Sequence, residues 1–315
     1  TYQLAKPFEL SAEDSGTETT PIVYRAEERG TAALSGGVAV RAWKPVTDPV
    51  IVALIDAKAK GRVVWAEIGA ELAESIPGFA NEGCGFKGKK EYPLALYQGN
   101  ERLPVSRWPN DEYVMTGECL GEHIPAGHMG IRYTEGRFVF KNARLKRWVG
   151  EPDLWLDGLW FVPWADSKMR IKEIDLKHQS ISLLNPDDSG YGYMPERHFF
   201  AFNAIGEIDR PGEWAVDPAT RRLFLWPAAD PAASPVTVAL RASLIWVDGV
   251  ANTRFEDLVF ENSLETAISI RNSTGVTISG STIRHTGSWG VDIVGGSDCT
   301  VIGCDLHDLG EGGIK

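Results

Sequence analysis

The closing stretch of the chain, written in lines of 23 residues, decides the fold: IWVDGVANTRFEDLVFENSLETA (245–267), ISIRNSTGVTISGSTIRHTGSWG (268–290) and VDIVGGSDCTVIGCDLHDLGEGG (291–313). Three apolar columns run down these lines: Ile245, Ile268, Val291 and Ile314; Phe255, Ile278 and Val301; Phe260, Ile283 and Leu306. Within each line the apolar residues come in short bursts at alternate positions, as strands do, and Gly, Asn, Ser and Asp between the bursts mark tight turns. No segment of these lines has helical periodicity. A unit of this length with three short strands and three turns is one coil of a solenoid. The fold read from it is an all-β, right-handed parallel β-helix in which residue i lies over residue i+23, about one strand spacing (~4.8 Å) away.

The columns also place the other residues. Ser281 and Cys304 share a corner, filled by Leu258 one coil earlier. Val259, Thr282 and Asp305 form a neighbouring column expected to face outward. Lys315 follows Ile314 in mid-strand, and solenoids cap their ends, so the reading expects further coils beyond Lys315 and a start before Thr1.

Working outward, residues 1–41 read as opening coils, with alternation at Phe8/Leu10, Ile22/Tyr24 and Val38/Val40. Residues 42–236 change pattern and read as an inserted, mostly β module. Asp48-Pro49, an apolar run and Gly61 signal a short capped helix. Two hairpins follow: one with its turn at Asp157-Gly158 between Leu154–Leu156 and Leu159–Trp164, the other turning at Asp217-Pro218 between Trp214–Val216 and Leu223–Trp226. Residues 237–315 form the main coil.

A formal net charge of −11 and the lack of a dense basic stripe exclude a nucleic-acid partner. The longest clear apolar run, Val50 to Ile55, falls far short of the ~20 residues of a membrane span. The four cysteines have no zinc spacing. Cys84 and Cys119 stay open as a disulfide pair, whereas Cys299 and Cys304 read as free and buried. Neither Glu122, His123 and His128 near Cys119 nor the Asn185–Gly190 loop matches a firm metal pattern, so no metal and no cofactor is expected.

Taken together, LSAEDSGTETTPIVYRA, LPVSRWPND, PDLWLDGLWFVPWADS, RPGEWAVDPATRRLFLWP and GCDLHDLGEGGI resemble the right-handed parallel β-helix proteins of glycoside hydrolase family 141. The resemblance runs over nearly the whole chain. It implies a secreted or periplasmic enzyme with a carbohydrate substrate, fucosidase- or xylanase-like.

Glycoside hydrolysis uses two carboxyl groups across the scissile bond, ~5 Å apart for retention and ~6.5–9.5 Å for inversion. Stacked coils offer both spacings. The candidate catalytic carboxylates are Asp308 or Glu311 as acid/base and Asp292 as the second group. His285, Trp289, Asp305, Arg107 and Trp108 are the candidate substrate-binding residues. His285 and Asp308 share a column with Asn262 and are expected to hydrogen-bond across coils; Ser288 shares a column with Glu311, and Asp292 with Lys315. The run Trp155, Trp160, Phe161 and Trp164 is read first as core and second as a sugar platform. Two other classes fit a β-helix: a polysaccharide lyase, which needs a base and a cation, and a non-catalytic glycan-binding or adhesion protein.

Overall fold

A computed structural model describes residues 1–68, 94–240 and 242–315. The described residues fall into two compact units: 1–40, 94–102 and 235–315 in the first, 41–68 and 103–234 in the second. No helix among them is long and apolar enough to cross a membrane.

The first unit is a parallel β-helix with three faces. Face 1 stacks Phe8–Leu10, Ile245–Asp248, Ile268–Arg271, Trp289–Val294 and Gly312–Ile314. Face 2 stacks Ile22–Arg25, Thr253–Glu256, Thr277–Ser279 and Thr300–Ile302. Face 3 stacks Tyr2–Gln3, Ala33–Ser35, Val259–Ser263, Thr282–Thr286 and Asp305–Leu309. All three apolar columns stand in the expected register: Ile245 beside Ile268, Val291 and Ile314; Phe255 beside Ile278 and Val301; Phe260 beside Ile283 and Leu306. Ile245, Ile268, Phe260, Ile278, Ile283 and Val291 are fully buried in one core. Each such side chain contributes up to about 1.5–3 kcal/mol of burial, which offsets the entropy of ordering a chain with so few local contacts.

The corners explain the Asn, Asp and Gly between strands. Asn252, Gly275 and Asp298 form one column of left-handed residues, and Asp257, Gly280 and Gly303 another. Asn and Asp tolerate this conformation better than other side chains and Gly adopts it freely, so the chain can turn within one residue. A third left-handed column, Asn262, His285 and Asp308, is a bulge inside face 3, where the pairing steps from Glu261–Arg284 to Ser263–Thr286. The corner column holds too, with the Ser281 hydroxyl accepting from the Leu258 amide. Its neighbour grades from buried Val259 through half-buried Thr282 to exposed Asp305, so only the last of the three faces water as expected.

The opening segment joins the coil through Phe8–Leu10 and Ile22–Arg25. Its third coil strand is Ala33–Ser35 and not the Val38/Val40 segment. Gly37–Val40 leaves the helix and runs antiparallel to Val236–Ala239, so close that a Cβ on Gly37 would stand 2.3 Å from Thr237. Ala95–Gln98 pairs with the other edge of Val236–Ala239, giving the first unit a small antiparallel sheet.

The second unit is antiparallel. Arg107–Trp108, His198–Phe202, Trp155–Gly158, Ser167–Asp175, Ser180–Leu183, Arg137–Val139 and Cys119–Leu120 lie in that order in its large sheet. The helix appears at Pro49–Leu54, capped by the Asp48 carboxylate accepting from the Val50 amide, and stops well before Gly61. The second hairpin forms as read, with Trp214–Asp217 against Arg222–Leu225. The first does not. Asp157-Gly158 lies within a strand whose partner starts at Ser167, and residues 159–166 form the loop. Gly158 is needed there because the Trp160 ring folds over it, 2.7 Å from where a Cβ would stand. Trp155, Trp160 and Phe161 are core, as read first, whereas Trp164 is 59% exposed and meets Tyr191 edge-on. Cys299 and Cys304 are free thiols, half-buried and not fully buried. Cys119, one half of the open Cys84–Cys119 pair, is a free and buried thiol, and Cys84 lies outside the described residues.

Candidate functional site

On face 1 inward and outward residues alternate, so one outward column runs Glu9, Trp246, Ser269 and Asp292. Lys315 continues it, its backbone paired with Val291 and Ile293. Arg271 ties the column together. Its guanidinium lies 5.3 Å over the Trp246 ring and donates to Asp292 Oδ2 at 2.6 Å and to the Asp292 carbonyl at 2.9 Å. This pairing shelters the Asp292 side chain beside a half-exposed indole. Its Oδ1 is buried and lacks a hydrogen-bond partner.

The turn from face 3 to face 1 adds the remaining residues. The Ser288 hydroxyl donates to Glu311 Oε2, and the Glu311 amide donates to the Ser288 carbonyl at 3.1 Å, so the shared column holds. Trp289 lies over Gly312, where a Cβ would meet the ring at 2.4 Å, and the Lys315 ammonium sits 5.8 Å from the ring centre. Asp308, on the bulge, lies 2.7 Å from His307 Nδ1. That contact, with smaller help from His285 and Arg284, holds the exposed Asp308 carboxyl below the usual carboxylate range.

The other expected residues are engaged elsewhere. His285 is buried beneath the antiparallel sheet: its ring stacks on Tyr97 at 4.5 Å and its Nε2 lies 3.0 Å from the Asn100 carbonyl. It makes no hydrogen bond to Asp308, because Asp308 turns to His307 instead. Asp305 stands at the opposite end of its strand and meets Arg29 at 3.6 Å, both largely exposed. Arg107 and Trp108 belong to the second unit. Arg107 stacks on Phe200 at 3.8 Å and donates to the Glu112 carbonyl; Trp108 packs edge-on against Trp148 and Phe140. Trp246 and Arg271 were not singled out from sequence, although both occupy outward positions of aligned columns. Tyr97 had a fainter signal, the Gly99-Asn100 turn that follows it.

These three faces and their stacked register define a right-handed parallel β-helix. Residues 243–315 match the family described as Right handed beta helix region. No curated protein matches the chain in sequence. Among solved structures, one titled "Glycoside hydrolase" superposes with a TM-score of 0.61 over 96% of this chain, at 19% identity. The chain spans about half of that structure's length, 56%. A likeness at this identity establishes the shared fold.

Proposed function

We propose that the chain carries part of the substrate face of a glycoside hydrolase of the family 141 type, fucosidase- or xylanase-like, acting outside the cytoplasm on plant or algal glycans. The observation that carries this reading is the pairing on face 1 and its entry turn of two indoles, Trp246 and Trp289, with carboxylates held by partners of different kinds. Indole faces stack on the C–H faces of sugar rings, and fixed carboxylates complement the positive charge that develops as a glycosidic bond breaks.

The partners divide the roles. Asp292 is locked to a guanidinium and Asp308 to an imidazole, and the second contact holds the Asp308 carboxyl below the usual carboxylate range. Either serves as base, nucleophile or electrostatic stabiliser. Glu311 accepts from the Ser288 hydroxyl, and in this reading it is the residue that carries and delivers the proton.

The full-length enzyme should therefore cleave an aryl α-L-fucoside, an aryl β-xyloside or xylan. Glu311→Gln and Asp308→Asn should each lose about 100-fold or more in kcat/KM. Full activity in both variants would remove these carboxylates from the chemistry. Products from uronic-acid polymers that absorb in the ultraviolet would replace hydrolysis by elimination. Glycan binding without turnover, indifferent to both substitutions, would make the chain a binding or adhesion module.

A further inference from the structure

Where the antiparallel sheet covers face 3, three side chains each bury a polar atom with no hydrogen-bond partner: Tyr97 Oη, His285 Nδ1 and Asn262 Oδ1. The three residues are 1%, 1% and 8% exposed. They are neighbours. Tyr97 stacks on His285, and Asn262 precedes His285 by one coil in the bulged column, its amide donating to Ser35 Oγ and its side chain lying against Gly37. Buried polar groups without partners are costly, which favours a partner shared among the three.

The chemistry of the walls selects that partner. His285 directs Nε2 at the Asn100 carbonyl, so Nε2 carries the proton and Nδ1 presents a lone pair. Burial, aided by nearby Arg284, holds the His285 imidazole below the usual histidine range. Asn262 Oδ1 is a second acceptor, and the phenol of Tyr97 can donate. A guest must then donate twice and accept once. Water does this, whereas a sugar hydroxyl donates only once. A metal cation would meet three neutral ligands, with Arg284 close by and Glu261 already spent on it, so its desolvation would go uncompensated.

We propose that a single internal water molecule bridges Tyr97, His285 and Asn262, and that this water and the His285–Asn100 bond together latch the 95–102 hairpin onto the coil. The latch lies one coil from Asp308, whose charge reaches both Tyr97 and His285.

The test is independent of glycan turnover. A high-resolution crystal structure should show one peak within hydrogen-bond reach of all three atoms, without anomalous signal. Nitrogen NMR of the intact protein should find His285 as the Nε2–H tautomer. His285→Phe keeps the stack but removes both bonds, so the amides of 95–102 should exchange about tenfold faster while those of Thr253–Glu256 keep their rate. An Nδ1–H tautomer, a metal at the site, or unchanged exchange in His285→Phe would each overturn the proposal.

Discussion

Glu151 shows how far a single residue's chemistry depends on distant parts of the chain. Both its oxygens accept backbone N–H groups, from Ile205 and Gly206, each at 2.7 Å. These bonds favour the carboxylate, yet burial outweighs them and, with Glu207 nearby, pushes the Glu151 carboxyl up to about 7. The folded acid therefore holds its proton longer than the unfolded one, whose value is about 4.3. Its contribution to stability is fully present below that unfolded value and is lost as pH rises through about 7, on the order of 3 kcal/mol in all. Glu151→Gln should remove this component. Denaturant unfolding of both proteins at pH 5 and pH 8 measures it: the wild type should lose more stability than the variant across that interval. Equal losses would show that Glu151 is ionised throughout. Nothing in the sequence near Glu151 announces this, since the amides that hold it come from over fifty positions further on.

At the scale of the element, two hairpin signals of similar strength had different outcomes, and the difference is physical. The turn after Trp214–Asp217 is built by its own residues. The Asp217 carboxylate accepts from the amides of Ala219 and Thr220 and from the Thr220 hydroxyl. Such a signal survives because nothing remote competes with it. Asp157-Gly158 carries an equally good turn pair, but Trp160 outweighs it. The indole N–H donates to the Ser167 carbonyl at 2.9 Å and the ring lies across Gly158 within the core of the second unit. The glycine is there for close approach. Gly158→Ala should therefore cost about 1–3 kcal/mol in a denaturant melt, through overpacking against an indole with little freedom to move. A glycine serving only a loose turn would cost a few tenths, and that result would discard this account. The same distinction applies to the site. Trp289, Glu311 and Asp292 were legible because their partners stand 23 positions away or close to it, whereas the covering of His285 by Tyr97 comes from a strand with no periodic relation to it.

For the molecule as a whole, the period in the sequence contains the coil, because one hydrogen-bonding geometry repeats and each layer rests on the one before. The lateral additions are less visible: the insertion between Val40 and Pro235, and the strand Ala95–Gln98 that pairs with Val236–Ala239. Antiparallel pairing over so many residues leaves no repeat to detect. A stacked solenoid also has a thermodynamic signature, since its stability sums contributions from layers and the interfaces between neighbouring layers. Ile283 sits at such an interface, fully buried between Phe260 on one layer and Leu306 on the next. Ile283→Ala should cost about 2–5 kcal/mol, the transfer of the lost methyl and methylene groups plus the cavity they leave. Thr282→Ala, one residue earlier on the same strand and half-buried, should cost within about 1 kcal/mol. The loss in Ile283→Ala should be felt in both directions along the coil, as faster amide exchange in Val259–Ser263 and Asp305–Leu309 together. Faster exchange on one side only, or equal costs for the two substitutions, would mean that these strands do not form successive layers of one core.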